Sequence, residues 1–250
     1  MSQPSWQDAA AGLDTHRSAV LLRIVVVIAA VLYVATTMVS DSHDRGPTVI
    51  GLLLGAGEMC ATVMALIGVV RFAAKVPDRA KATASFASFA LIAVIVAEIY
   101  ALWIGWRLIE LASAVEHAST GIMPPAGDLL EQVERLPYIQ IGAGIAGMLA
   151  ILTVLGSITS VGHVLSDDNL VRRARRMSIA VVILGVGYGV ILNWAFGSRP
   201  SDGYFVFAAV GALAVFALGV LFAYIGVLTM ASDAMRSGAV AIPAARLAAQ

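Results

Sequence analysis

Glu58 and Glu98 are the residues of this chain whose setting points to chemistry, because each is a carboxylate inside a long apolar stretch. An ionised acid in hydrocarbon costs several kcal/mol unless it is paired, hydrated or protonated, so acids kept there commonly handle protons or cations. A protonated glutamic acid can instead donate one hydrogen bond between helices, a contact of about 1 kcal/mol. Glu58 lies twenty residues before Asp78 and Glu98 twenty after it. If Asp78 marks the turn of a helical hairpin, the two carboxylates reach the same depth. Arg23 and Arg71 are expected at one membrane face and Arg107 near the other, which leaves the pair without a basic neighbour and with at least one proton held between them. Thr62 and Tyr100 are candidate hydrogen-bond partners, and Tyr100, Gln140 and Asn193 candidate polar lining.

The elements that must position this pair follow from composition. Hydrophobic residues make up 60% of the 250 and charged residues 13%, with a mean hydropathy of +0.89. About a quarter of a soluble domain is charged, so the chain reads as an integral membrane protein. Its formal net charge is zero, which argues against nucleic acid as a partner. The single cysteine, Cys60, excludes an intrachain disulfide and a cysteine-based metal site.

Six stretches, at about 18–40, 47–72, 82–106, 137–163, 175–197 and 204–231, have the roughly 20 apolar residues needed to cross a bilayer. Backbone groups in lipid must be satisfied within their own segment, which predicts an all-α, six-transmembrane-helix bundle. Residues 1–17 and 232–250 are left as terminal segments outside an 18–231 transmembrane domain. Arg71, Lys75, Arg79 and Lys81 follow the second span, and Arg172, Arg173, Arg175 and Arg176 precede the fifth. The positive-inside rule then places these residues and both termini in the cytoplasm, with the plasma (inner) membrane of a bacterium as the expected location. Trp103, Trp106 and Trp194 fall near the opposite face. In the outer connection, 107–136, Asp128 and Glu131 form a capping-box-like start to a short surface helix over 128–136.

Spans two and three align weakly with spans four and five: Gly55, Met59, Tyr100 and Trp106 fall on Gly144, Met148, Tyr188 and Trp194. This is either a parallel hairpin repeat or the ordinary likeness of apolar helices. At the positions of the two acids the second hairpin has Gly147 and Val186, so the acid chemistry is confined to one half.

Sharper motifs fail. Gly142, Gly144 and Gly147 spell G-x-G-x-x-G inside a span with no preceding strand, a packing pattern rather than a nucleotide loop. The four histidines, His16, His43, His117 and His163, fall in loops or at span ends by this reading, which argues against a membrane haem. With no catalytic constellation the chain is read as non-enzymatic and without cofactor or metal. Small residues of the sixth span, Ala208, Ala212, Gly219, Ala223 and Gly226, suit contact with a neighbouring helix or a second copy. Arg172, Arg173, Arg175 and Arg176 suit anionic lipid headgroups, at about 1 kcal/mol each. Two functions fit: proton- or cation-linked transport or channel activity at Glu58 and Glu98, or a non-catalytic scaffold within a homo-oligomer or a larger membrane complex.

Overall fold

The computed structural model describes residues 6–39, 49–117, 127–197 and 203–248. Among them six helices follow one another, with no strand: α1 (Trp6–Val39), α2 (Val49–Ala73), α3 (Asp78–His117), α4 (Gly127–Val164), α5 (Asp168–Gly197) and α6 (Gly203–Ala248). Five of them, all but α5, contain described stretches long and apolar enough to cross a membrane. The chain is thus an all-helical protein of integral membrane type. In α5, Arg172 to Arg176 occupy the start, and the apolar stretch runs on into residues 191–197, whose side chains, Asn193 and Trp194 included, lie outside the described residues.

Each helix packs on its neighbours in sequence and α6 returns to α1, which closes a ring. The connection between α2 and α3 is tight: Ala74 and Lys75 donate backbone N–H bonds to Val70 and Phe72, and Pro77 accepts from Ala80 and Lys81 at the start of α3. Between α4 and α5, Ser166 takes a left-handed conformation with φ of 56°. Asp167 then caps α5, its Oδ1 accepting the Leu170 N–H at 3.0 Å.

Burial is concentrated toward the end of the bundle that carries these two turns. Trp6, Leu13, Phe72, Val76, Ile158, Leu170, Tyr224, Leu228 and Met235 form its core together with many alanines. Toward the opposite end large apolar side chains such as Val25, Leu32, Leu53, Val96 and Val215 are more than half exposed. Lipid tails are as apolar as these side chains, so nothing drives them inward there. The basic end packs as a water-soluble core does, and the rest of the ring is looser.

Several element boundaries differ from those expected, among them the end of α6, which runs to Ala248 rather than 231, and the start of α5, at Asp168 rather than 175. The first helix begins at Trp6 rather than near residue 18. Trp6, Ala9, Ala10 and Leu13 are buried at the i, i+3, i+4, i+7 spacing of one helix face and carry the apolar stripe back through the terminal segment. The helix expected over 128–136 is present but continues through Pro137 into α4. Proline removes one main-chain bond, whereas a break at that point would leave several backbone groups unsatisfied beside lipid. Helix α3 likewise runs on to His117 instead of ending at 106.

The closest helix contact lies between α1 and α2. A Cβ built on Gly12 falls 2.6 Å from the Phe72 backbone nitrogen and 2.8 Å from the Gly68 carbonyl oxygen, and one on Gly68 falls 2.5 Å from the His16 nitrogen. The obstructing atoms are backbone, so only a shift of a whole helix makes room. A Cβ on Gly156 meets nothing within 4 Å. Gly68→Ala is therefore expected to lower stability by about 1–3 kcal/mol, while Gly156→Ala raises it by about 0.5–1 kcal/mol. Denaturation midpoints of the two purified variants check this, and equal midpoints would refute the close crossing.

Candidate functional site

The α1–α2 crossing sets the register of everything above it. Arg23 lies eleven residues beyond Gly12 on α1, and Glu58 lies ten before Gly68 on the antiparallel α2. At about 1.5 Å per residue both climb roughly 15 Å from the crossing and arrive face to face. Arg23 Nε donates to Glu58 Oε1 in a short ion pair. Its Nη2 donates to Thr62 Oγ1 at 2.6 Å and stands 3.5 Å from Glu98 Oε1. The fully buried Thr62 hydroxyl is 2.7 Å from Glu98 Oε1 and 3.1 Å from the Glu58 carbonyl oxygen, with one proton to serve both. One cation, two carboxylates and one hydroxyl thus tie α1, α2 and α3 together.

This corrects the expectation that no basic group reaches the acids. A span that starts near residue 18 puts Arg23 at the membrane face; in a helix that begins at Trp6 it is the eighteenth of 34 residues, the midpoint. The same displacement moves His16 from a span end into the core. His16 is 4% exposed, its Nδ1 lies 3.4 Å from the Ala65 carbonyl oxygen and its Nε2 lies 2.9 Å from the Tyr224 hydroxyl. The carbonyl accepts only a donor, so Nδ1 carries the ring proton and Nε2 accepts from tyrosine. The legible signal for both residues was the spacing of Trp6, Ala9, Ala10 and Leu13, which extends the helix toward the N-terminus.

The hairpin spacing predicts a common depth for Glu58 and Glu98, and the structure brings them together through Arg23 and Thr62. Each has one oxygen, Oε2, that is buried and without a hydrogen-bond partner. Both side chains line a cavity of about 360 Å³ between α2, α3 and α4, walled otherwise by Gly51, Leu52, Gly55, Ala97, Ala101, Leu102, Gly105 and Ala143 with Gln140 at its α4 side. The small residues have two uses here. Gly55 and Gly105 receive the tips of Leu102 and Leu52, so that a Cβ would approach them to 2.8 and 3.0 Å. Ala97, Ala101 and Gly51 leave the space open. The pair keeps side-chain exposures of 31% for Glu58 and 14% for Glu98, with Arg23 at 23%.

The remaining candidates are dispersed. Gln140 lines the cavity, but Tyr100 lines a separate groove between α3 and α4 and lies against the Trp103 ring at 5.9 Å. The side chain of Asn193 is outside the described residues. Arg172, Arg173, Arg175 and Arg176 are exposed at the start of α5, spaced around the buried Val171, Ala174 and Met177. Arg172 reaches the Asn169 side chain at 3.3 Å, and Arg175 comes within 3.5 Å of His163. His43, Asp41 and Asp44 lie outside the described residues, as does the His117 side chain. Among the described residues no group of three or more His, Cys, Asp or Glu could hold a metal ion.

Removing one member of a partly buried ion pair strands the other, whereas removing both can be nearly neutral. Arg23→Met and Glu58→Met are each expected to destabilise the bundle, the double variant less than the sum of the two, with a coupling of about 1–3 kcal/mol. Denaturation of the four proteins in detergent gives this number, and strictly additive losses would show the pair to be energetically idle. The chain matches no protein-family model, no curated protein and no solved structure, so the reading of this site rests on its own geometry.

Proposed function

We propose that the chain is a small multi-pass membrane protein that moves protons or cations, with Glu58 and Glu98 as the ion-handling groups and Arg23 as their built-in counter-ion. The single observation that carries this reading is a pair of carboxylates whose side chains line a cavity, each keeping one buried oxygen without a hydrogen-bond partner. With both acids ionised the cluster holds one more negative charge than Arg23 supplies. A proton or cation arriving from the cavity restores neutrality, and in doing so it competes with Arg23 and Thr62 for Glu98. Such a site is one charge negative when empty and neutral when occupied, and the competition with Arg23 and Thr62 offsets part of the gain on binding, as a carrier that must both load and release requires.

A second cavity of about 350 Å³, between α4, α5 and α6, is lined by Gly144, Met148, Leu184 and Tyr188 with no acid. This favours one ion site rather than a symmetric pore, whether or not the two hairpins arose by duplication. In the membrane frame of this proposal α5 also spans, bringing the number of spans to six, and the basic turns face the cytoplasm of a bacterium, with both termini on that side. Arg172, Arg173, Arg175 and Arg176 then sit at the level of anionic lipid headgroups.

The alternative is a scaffold or accessory subunit, and a specific observation favours it. On α6, Ala212, Gly219, Ala223 and Gly226 are exposed rather than packed in the ring, and Cβ atoms on the two glycines would meet nothing within 4 Å. That face suits a second copy or another subunit. Flux in proteoliposomes separates the readings. Glu58→Gln and Glu98→Gln should each lower proton or cation flux at least tenfold and flatten its pH dependence. Unchanged flux in both variants would end the transport reading, and loss of an oligomer or co-purifying chain on Gly219→Leu or Gly226→Leu would put the scaffold in its place.

A further inference from the structure

The ion site and the groove beside it share a wall. The cavity of Glu58 and Glu98 and the apolar groove between α3 and α4, about 400 Å³, are both lined by Ala97 and Ala143. Ala97 and Ala143 therefore border both the cavity of the carboxylates and a groove lined also by Val96, which is 62% exposed. We propose that this compartment binds an amphiphilic organic monocation, a protonated alkylamine, with its ammonium paired to the Glu58 and Glu98 carboxylates and its apolar tail against the Ala97–Ala143 wall. The inference rests on the ion-handling reading above and names the class of ligand.

Three features choose this ligand over an inorganic ion. The cluster of Arg23, Glu58 and Glu98 has room for one positive charge, which matches a monocation. Calcium and magnesium take six or more oxygen ligands, whereas the cavity is lined by two carboxylates, already engaged by Arg23 and Thr62, and by Gln140 among glycine, alanine and leucine. An alkylammonium needs only the few acceptors its N–H groups can reach, and the apolar wall that would fail to replace a metal ion's hydration shell is what its tail requires. The volume agrees, since about 360 Å³ falls within the roughly 300–1,000 Å³ of small-molecule sites. The unpartnered oxygens are acceptors, so an amine bearing N–H groups should bind better than a quaternary ammonium of the same length.

The test is binding of dansylcadaverine, a fluorescent primary alkylammonium, to the full chain in nanodiscs of neutral lipid, with empty nanodiscs subtracted. Saturable binding is expected, displaced by dodecylamine at least tenfold more readily than by dodecyltrimethylammonium and not by dodecanol. Glu98→Gln should weaken it at least tenfold. Gly51 lines the cavity and a Cβ there meets nothing within 4 Å, so Gly51→Phe should block binding while the denaturation midpoint stays near that of the parent. No saturable signal, displacement by dodecanol as readily as by dodecylamine, full affinity in both folded variants, or displacement by millimolar magnesium, calcium, sodium or potassium would overturn the proposal. Binding without ion flux would sustain the ligand class and remove transport; flux without binding would do the reverse.

Discussion

The contact between Gly12 and Gly68 is the constraint on which the rest of the molecule depends. Two helices whose backbones touch have little freedom to slide, because a shift of one residue would drive a side chain of one into the main chain of the other. From that fixed point the 1.5 Å rise per residue dictates which side chains meet farther along. It seats His16 against the Ala65 carbonyl and, about two turns beyond, Arg23 against Glu58 and Thr62. The site is thus specified by helix register as much as by the acids themselves.

The ring is then closed and locked along a different seam. Asp14 on α1 accepts from Ser232 at 3.0 Å and pairs with Arg236 on α6, while Arg17 donates to Thr229 at 3.3 Å. With the His16–Tyr224 contact, these hold Asp14, His16 and Arg17 of α1 against α6. On the other flank Thr83 and Ser157 join α3 to α4 through hydroxyls 2.6 Å apart. Dense packing and cross-helix hydrogen bonding coincide at the basic end, and the cavities lie beyond it. A bundle so arranged has a firm base and a more yielding upper half, the distribution that a site needing both fixed charges and an entrance would require.

Much of this was legible in the residues. Apolar runs of sufficient length gave the helices, and the equal spacing of Glu58 and Glu98 about Asp78 gave their common depth, because helical rise is nearly constant whatever the side chains. Thr62 was legible too, one turn from Glu58. Arg23 and His16 were not found, for a common reason: hydropathy locates where lipid begins, not where a helix begins, and α1 runs three turns past the lipid-like stretch on a face of alanines, Trp6 and Leu13. Tyr100 shows the converse limit. Two residues after Glu98 it shares that acid's depth but not its face, and depth was all the spacing specified.

The place of Arg23 in chain order bears on how the protein is made. Arginine at the centre of a lone membrane helix costs about 2.5–3.5 kcal/mol on the scale of biological insertion, and Arg23 emerges from the ribosome before Glu58, Thr62 or Glu98 exists. Helix α1 therefore gains little by entering the bilayer alone and much by entering with α2, which brings both the glycine seat and the compensating charge. The first hairpin is in this sense the unit of insertion, and the second carboxylate, Glu98, arrives afterwards with α3.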